Sequence, residues 1–270
     1  MINVLLVAYE SRVDALQLAE ETRHELDSSK FSVSVYVVGS QTPRPSVTPE
    51  SIVVSLGGDG TFLRAARIAH AGRATVVGVN LGRVGFLVPA DPADIVNQLA
   101  EIAEGRAVVE NRIVLDVTLS DGSHDTAINE VVVERAQAGH MVRVKTFVGG
   151  DEFLTYSADG VLVATPTGST GYNFSAGGPV VATNLNTMVL TPVAPHFTVD
   201  RSIVVSASTR IEMAVLDRPG VVVADGVRLG DIEPGESLAI GVHADPVRVA
   251  LQRESKFGAR LRHSLREGHA

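Results

Sequence analysis

At 270 residues, 45% hydrophobic and 20% charged, the chain is long enough for one large or two medium domains with a substantial core, and too apolar for a disordered protein. A net charge of −8 speaks against general nucleic-acid binding, and the lack of cysteine excludes disulfides and thiolate metal sites and fits a reducing compartment. No apolar run approaches the roughly 18–20 residues that cross a bilayer. The opening run 4–8 is too short, and lacks the basic lead, for a signal peptide, so a cytoplasmic setting with no membrane partner is expected.

Residues 1–105 alternate strand and helix. Val4-Leu5-Leu6-Val7-Ala8 reads as a strand. Ser11 and Asp14 stand at capping-box spacing, and Val13, Leu16, Ala19 and Leu26 make one helical stripe. Residues 33–38 form a second strand, followed by a loop with Pro43, Pro45 and Pro49. The apolar, β-branched run from Ile52 to Val54 opens a third, which breaks into Gly57-Gly58-Asp59-Gly60; Leu63, Ala66 and His70 then mark a helix stopped by Gly72. Residues 75–79 make a fourth strand and end in Asn80-Leu81-Gly82-Arg83-Val84-Gly85-Phe86-Leu87. Asp91-Pro92-Ala93-Asp94 combines a cap, a proline at the first helical position and first-turn acid, and starts a helix with Ile95, Leu99 and Ile102 inward, ending near Gly105. This alternation predicts a mostly parallel, helix-covered sheet.

The stretch around Asp59 carries chemistry. Strand, glycine turn and helix aim main-chain N–H groups and a positive helix end at one point, which suits a phosphate. A carboxylate there repels phosphate, so Asp59 belongs if it receives a proton or faces a metal ion bound to the phosphates; the alternative is a tight turn with Asp59 as cap. Loops beyond the carboxyl ends of strands form the ligand crevice of an open α/β sheet, so the loop 80–87 is expected beside the first, with Arg83 near phosphate and Phe86 either facing a base or packed in the core.

After about residue 107 the helical stripes disappear. Short Val/Ile/Thr runs at 113–119, 127–134, 142–148, 160–164, 188–190, 203–205, 211–216, 221–223, 238–242 and 247–251, with Gly, Asp and Pro between them, form an all-β pattern, a sandwich or stacked sheets. The last twenty residues carry Phe257, Leu261 and Leu265 at helical spacing, with Arg260, Arg262 and Arg266 as a solvated basic face. Two stretches in this half call for more than structure. Asn129-Glu130 interrupts a strand, and alternation turns one of the pair inward, where it needs partners; it either ends a strand at a sheet edge or fixes the hydroxyls of a sugar. Residues 165–179 are small, hydroxyl-rich and glycine-rich around Tyr172, a segment that buries little of its own surface and is expected against a ligand or another backbone.

Taken together, Gly57-Gly58-Asp59-Gly60-Thr61, Asn80-Leu81-Gly82, Asn129-Glu130, Asp159-Gly160, Thr165-Pro166-Thr167-Gly168-Ser169-Thr170, Gly177-Gly178-Pro179, Pro195-His196 and Asp225-Gly226 resemble, in order over nearly the whole chain, the NAD kinases. Gly-Gly-Asp-Gly alone is shared with 6-phosphofructokinases and with diacylglycerol and sphingoid lipid kinases. The resemblance implies a Rossmann-like α/β N-terminal domain with a mostly parallel sheet, here 1–107, an all-β, sandwich-like C-terminal domain, here 108–252, a tail 253–270 packing back on the first, and an active site between the two. It implies a homodimer or homotetramer that phosphorylates the adenosine-ribose 2′-hydroxyl of NAD⁺, with ATP or inorganic polyphosphate as donor and a divalent cation such as Mg²⁺. No residue is assigned as a metal ligand.

Carried over by position, Asp59 matches the family's proton acceptor and Gly60 the adjacent NAD contact. Arg64, Asn129, Glu130, His140 and Asp159 match further NAD-binding positions, and Thr170, Gly171, Tyr172, Asn173, Phe174 and Ser175 the segment that wraps the adenosine. Gly171 stands where the family usually has Ala, Ser157 where many members place Arg, Val227 where many have Gln, and Phe197 where Ser is common. No P-loop signature occurs. Two rivals remain open on sequence: another Gly-Gly-Asp-Gly kinase, acting on a lipid or a sugar phosphate, and a non-catalytic pyridine-nucleotide sensor.

Overall fold

The computed structural model describes residues 1–26, 28–39, 45–82, 86–87, 92–251, 258 and 261–262. Arg83, Asp91, the tail's Phe257 and Leu265 and its basic Arg260 and Arg266 lie outside the described residues, as does most of the tail. The chain divides into two compact units: Met1–Asn111 with the residues from Pro246 onwards, and Arg112–Asp245.

The first unit is built on one six-stranded sheet. Its strands are β1 (Ile2–Tyr9), β2 (Phe31–Val38), β3 (Ile52–Leu56), β4 (Thr75–Val79), β5 (Val108–Arg112) and, from the far end of the chain, the strand Val247–Leu251; the helices are α1 (Val13–Glu25), α2 (Asp59–Ala71) and α3 (Ile95–Ala103). The spatial order is β2, β1, β3, β4, Val247–Leu251, β5, and the pairs β1–β2, β1–β3 and β3–β4 are parallel. β3 and β4 are buried throughout, because helices cover both faces. Val4, Leu6, Ile52, Val54, Leu56 and Val77 form one core with Ala15 and Ala19 of α1 and Ile95 and Leu99 of α3. α2 buries Phe62, Ala65, Ala66, Ile68 and Ala69 and packs on β3 and β4.

Several expectations change. Val247–Leu251, read as part of a β domain ending at 252, instead pairs parallel with β4, Arg248 beside Thr75 and Val249 beside Val76. The first unit also runs to Asn111 rather than 107. At α1 no side chain caps the first turn: Asp14 pairs with Arg12 at 2.6 Å instead of closing a capping box. Val13 is 76% exposed, and the inward face is Ala15, Ala19, Thr22 and Leu26.

The second unit holds two antiparallel six-stranded sheets. Its strands continue as β6 (Leu115–Thr118), β7 (His124–Ala127), β8 (Glu130–Arg135), β9 (Val142–Val148), β10 (Asp151–Ala158), β11 (Gly160–Ala164), β12 (Thr187–Val193), β13 (Ile203–Ser206), β14 (Ile211–Val215), β15 (Gly220–Ala224), β16 (Val227–Ile232) and β17 (Ser237–Val242), so that Val247–Leu251 is β18. One sheet runs β10-β9-β14-β17-β6-β7, the other β13-β12-β11-β8-β15-β16. Alternate residues of both, among them Leu115, Val117, Val144, Met213 and Ile240 from one and Val131, Val133, Val161, Val163 and Leu190 from the other, meet in a single apolar core, which is sandwich packing. A second small cluster of Val132, Leu162 and Ala164, with Tyr172 and Ala176 against it, lies on the other face of the β8–β11 sheet. An antiparallel sandwich is not the continued strand–helix alternation of a 6-phosphofructokinase.

Candidate functional site

Each unit contributes its own group of residues. In the first, β3 and β4 end side by side, Leu56 opposite Val79, and Gly57 N–H donates to the Val79 carbonyl at 3.0 Å. Gly57 has φ +153°, and a Cβ there would meet Thr61 Oγ1 at 2.4 Å, so the chain can enter α2 this tightly only with glycine. Gly58 and Gly60 face open space. Asp59 is the first residue of α2, at the positive helix end. Its Oδ2 accepts from Phe86 N–H at 3.1 Å and its Oδ1 from Leu87 N–H at 3.2 Å. The loop after β4 therefore does lie beside the glycine turn, held through main chain. Burial pushes the Asp59 carboxyl above its ordinary range, while the two N–H donors pull it down. Arg12, beyond β1, donates to the Leu81 carbonyl and joins the same rim. Arg64 lies five residues into α2 beyond Asp59 and is partly buried; at about 100° per residue it stands some 140° around the helix from it.

In the second unit the organising residue is Asp225. It sits in the β15–β16 turn with φ +48°, followed by Gly226 at +75°, the geometry of a tight hairpin turn. Its carboxylate accepts from Ile128 N–H at 2.8 Å, Asn129 N–H at 2.7 Å and Glu130 N–H at 3.3 Å. This clamp holds the start of β8. Asn129 and Glu130 are each 8% exposed, and Asn129 Oδ1, Glu130 Oε2 and the neighbouring Thr167 Oγ1 have no partner among the described residues. Burial, then the Asp225 charge, pushes the Glu130 carboxyl up to about 7, against a contact from Tyr172 N–H.

The segment 165–179 is built against this pair. Thr165 N–H donates to the Asn129 carbonyl at 2.8 Å and Thr165 Oγ1 to the Ile128 carbonyl at 2.7 Å. A Cβ on Gly168 would lie 2.2 Å from the Asn129 carbonyl oxygen, so only glycine fits. A Cβ on Gly171 would come within 3.2 Å of Glu130 Oε2 and 3.3 Å of Asn129 Nδ2, which puts this residue directly against both polar groups. Tyr172 lies on Val132 and Leu162; its phenol is pushed up by burial first and then by the nearby Glu134, with Asp159 and Glu130 adding to it. Asn173 is wholly buried: its amide donates to the Ser169 and Pro179 carbonyls, at 3.0 Å each, and accepts from Thr191 Oγ1 at 2.7 Å. Asn173 thus closes the segment on itself, while Phe174 and Ser175 are exposed and Thr170 half-buried.

Asn129, Glu130, Gly171 and Tyr172 are accordingly brought together, and Asp159 adds its charge beside Tyr172. Asp159 Oδ1 is paired with Arg135 Nη1 at 3.0 Å. His140 is exposed in the turn between β8 and β9. Two roles escape a sequence reading: that of Asp225, quoted only within the Asp-Gly pair of the resemblance, as the clamp on 128–130, and that of Glu134, which on β8 looks like any outward polar residue. Among the described residues no three His, Cys, Asp or Glu side chains group as a cation cage, and no helix is long and apolar enough to cross a membrane.

Comparison with known proteins agrees with this architecture. The ATP-NAD kinase N-terminal domain family matches residues 48–107 and the ATP-NAD kinase C-terminal domain family residues 128–249. NAD kinase 1 of Streptomyces coelicolor is 34% identical, over 98% of this chain and 85% of its own, and the NAD kinase of Heliobacterium modesticaldum 33% identical, over 99% and 100%. Among solved structures, an NAD kinase from Archaeoglobus fulgidus in complex with ATP superposes with a TM-score of 0.73 at 28% identity, covering 96% of this chain and 99% of its own. Yeast NADH kinase complexed with NADH shares the fold, with a TM-score of 0.81 at 20% identity over 100% and 89% of the two chains.

Proposed function

The chain belongs to the NAD kinase family, phosphotransferases with an alcohol group as acceptor, and from that premise we propose that it phosphorylates the adenosine-ribose 2′-hydroxyl of NAD⁺, with ATP or inorganic polyphosphate as donor and Asp59 as proton acceptor. With ATP, the bond between the 2′-oxygen and the γ-phosphorus forms as the bond to the β–γ bridging oxygen breaks; ADP leaves, and the hydroxyl proton passes to the Asp59 carboxylate. Phosphoryl transfer of this kind depends mainly on alignment and charge balance. A carboxylate that takes the proton in the transfer is worth roughly 10²–10⁴-fold. Burial favours a proton on Asp59, and the Phe86 and Leu87 N–H groups fix the orientation of both its oxygens. The open N-terminus of α2 at Gly58 and Gly60 suits the donor's phosphates. A divalent cation on the donor's phosphates would balance their charge during the transfer.

The single observation that carries the acceptor assignment is the Asn129–Glu130 pair: two buried polar side chains, fixed through main chain by Asp225, each with an atom left unpartnered. Buried polar atoms without partners are costly, and a site that keeps them selects a ligand with matching hydroxyls over one without. The test mixes purified protein, Mg²⁺ and NAD⁺ with ATP or with polyphosphate and follows NADP⁺ through an NADP-specific dehydrogenase. NADP⁺ formation with at least one donor is expected. A nucleotide sensor gives none.

A further inference from the structure

On the outer face of the β8–β11 sheet, three residues of one strand stand in a row. Alternation along β8 sends Val131 and Val133 into the sandwich core and leaves Glu130, Val132 and Glu134 on the opposite face. At about 3.3 Å per residue the two glutamates start about 13 Å apart along the strand. Tyr172 lies across the gap between them. Its main-chain N–H contacts Glu130 at one end, its ring rests on Val132 and Leu162 in the middle, and its phenol hydrogen-bonds Glu134 at the other end. The cross-strand neighbours of Glu134 are Gly160 on β11 and Val221 on β15, and neither carries a polar side chain that competes for it. Arg135, next in sequence, is committed to Asp159 Oδ1 at 3.0 Å. Glu134 is half-buried, so its bond to the phenol is partly shielded from water.

We infer that Glu134 is a positioning residue for the acceptor nucleotide: through the Tyr172 phenol it latches the middle of the segment 165–179 over the Asn129–Glu130 pair. The flanks of that stretch have anchors of their own, Thr165 on the Ile128 and Asn129 carbonyls and Asn173 on Ser169, Pro179 and Thr191. Between them Thr170 turns back on the Thr167 carbonyl and Gly171 brings no side chain, so Tyr172 is what ties the stretch beside Glu130 to the sheet. A ring on an apolar patch is free to tilt and slide. An ionised acceptor at its tip fixes it, because such hydrogen bonds are stronger and more directional than packing. A wall ordered before the ligand arrives lowers the cost of binding. Glu134 acts through Tyr172 and touches no reacting atom, so its loss is expected in nucleotide affinity rather than in the transfer step. The inference rests on the reading of the Asn129–Glu130 pair as the place where NAD⁺ binds.

A double-mutant cycle on the whole protein tests it, with NAD⁺ affinity measured by calorimetry and turnover measured beside it. Glu134→Ala is expected to raise the Kd for NAD⁺ about tenfold, with kcat at saturating NAD⁺ held within about threefold. Glu134→Gln is expected to recover most of the affinity, since its amide oxygen still accepts from the phenol. Tyr172→Phe keeps the ring and loses the donor, and is expected to match Glu134→Ala; combining the two should add less than about twofold. Should Glu134→Ala fail to fold, Glu134→Gln and Tyr172→Phe carry the same comparison. The latch is overturned if Glu134→Ala binds NAD⁺ like the native protein, if Gln and Ala at 134 are equally weak, or if the two single losses multiply in the double variant. Coupled losses of affinity in a protein that forms no NADP⁺ remove the kinase reading and leave the latch standing. NADP⁺ formation with uncoupled variants removes the latch alone, and a native protein that binds no NAD⁺ overturns both.

Discussion

The two units solve the placement of a carboxylate in opposite ways. In the parallel sheet, main-chain N–H groups of Phe86 and Leu87 hold the side chain of Asp59, and the side chain is what matters. In the antiparallel sandwich, the side chain of Asp225 holds the main chain of Ile128, Asn129 and Glu130, and what matters are the neighbouring side chains that this leaves fixed and unpartnered. A helix entrance supplies an anion-favouring field and a rigid turn; a sheet supplies a wall of alternating side chains that needs an outside clamp to turn two polar residues inward. The lesson is that one proposed site residue can be read from its own turn, whereas the proposed pair depends on a residue almost a hundred positions away.

The largest expected effect breaks the first half of this contrast. Asp59→Asn keeps the shape but cannot accept the proton; kcat is expected to fall by about 10²–10⁴-fold, with the Kd for NAD⁺, measured calorimetrically, held within about threefold. Asp225→Ala should strike the second half. Three main-chain N–H groups lose their acceptor, so unfolding free energy in urea is expected to drop by about 3–5 kcal/mol, with a rise in KM for NAD⁺; an unchanged urea midpoint would show that the clamp bears no load. Glu130→Gln sharpens the comparison through pH. The carboxyl of Glu130 rises from 4.5 to about 7 on folding, so the folded state holds a proton that the unfolded chain releases. Its contribution is fully present below pH 4.5 and is lost as pH climbs through 7. At about 1.4 kcal/mol per pH unit the native protein should lose about 3 kcal/mol relative to Glu130→Gln between those limits. Denaturation curves of the two proteins that keep the same spacing at pH 5 and pH 8 would contradict this.

Much of the architecture is legible in the residues because it is local. The β-branched runs ending at Leu56 and Val79, and the stop at Gly105 after Ala103, set their elements almost to the residue. Where the reading fails, the cause is a partner distant in sequence or a competing neighbour. Val247–Leu251 alternates like any sandwich strand, and nothing in five residues announces that it pairs with β4. Asp14 was available to a capping box, but Arg12, two residues away, takes it. The amide of Asn173 is enclosed by Ser169, Pro179 and Thr191, contacts that the segment's own residues do not announce. Asp225 reads as a turn residue because its three partners lie at positions 128–130.

The account rests on Asp59 receiving the proton of the ribose 2′-hydroxyl, and a crystal structure of the protein with NAD⁺ bound tests that most directly. The expected result is a 2′-oxygen within about 2.6–3.2 Å of an Asp59 carboxylate oxygen, or joined to it through one ordered water. A dinucleotide bound with that hydroxyl elsewhere, and no water between it and Asp59, would contradict it.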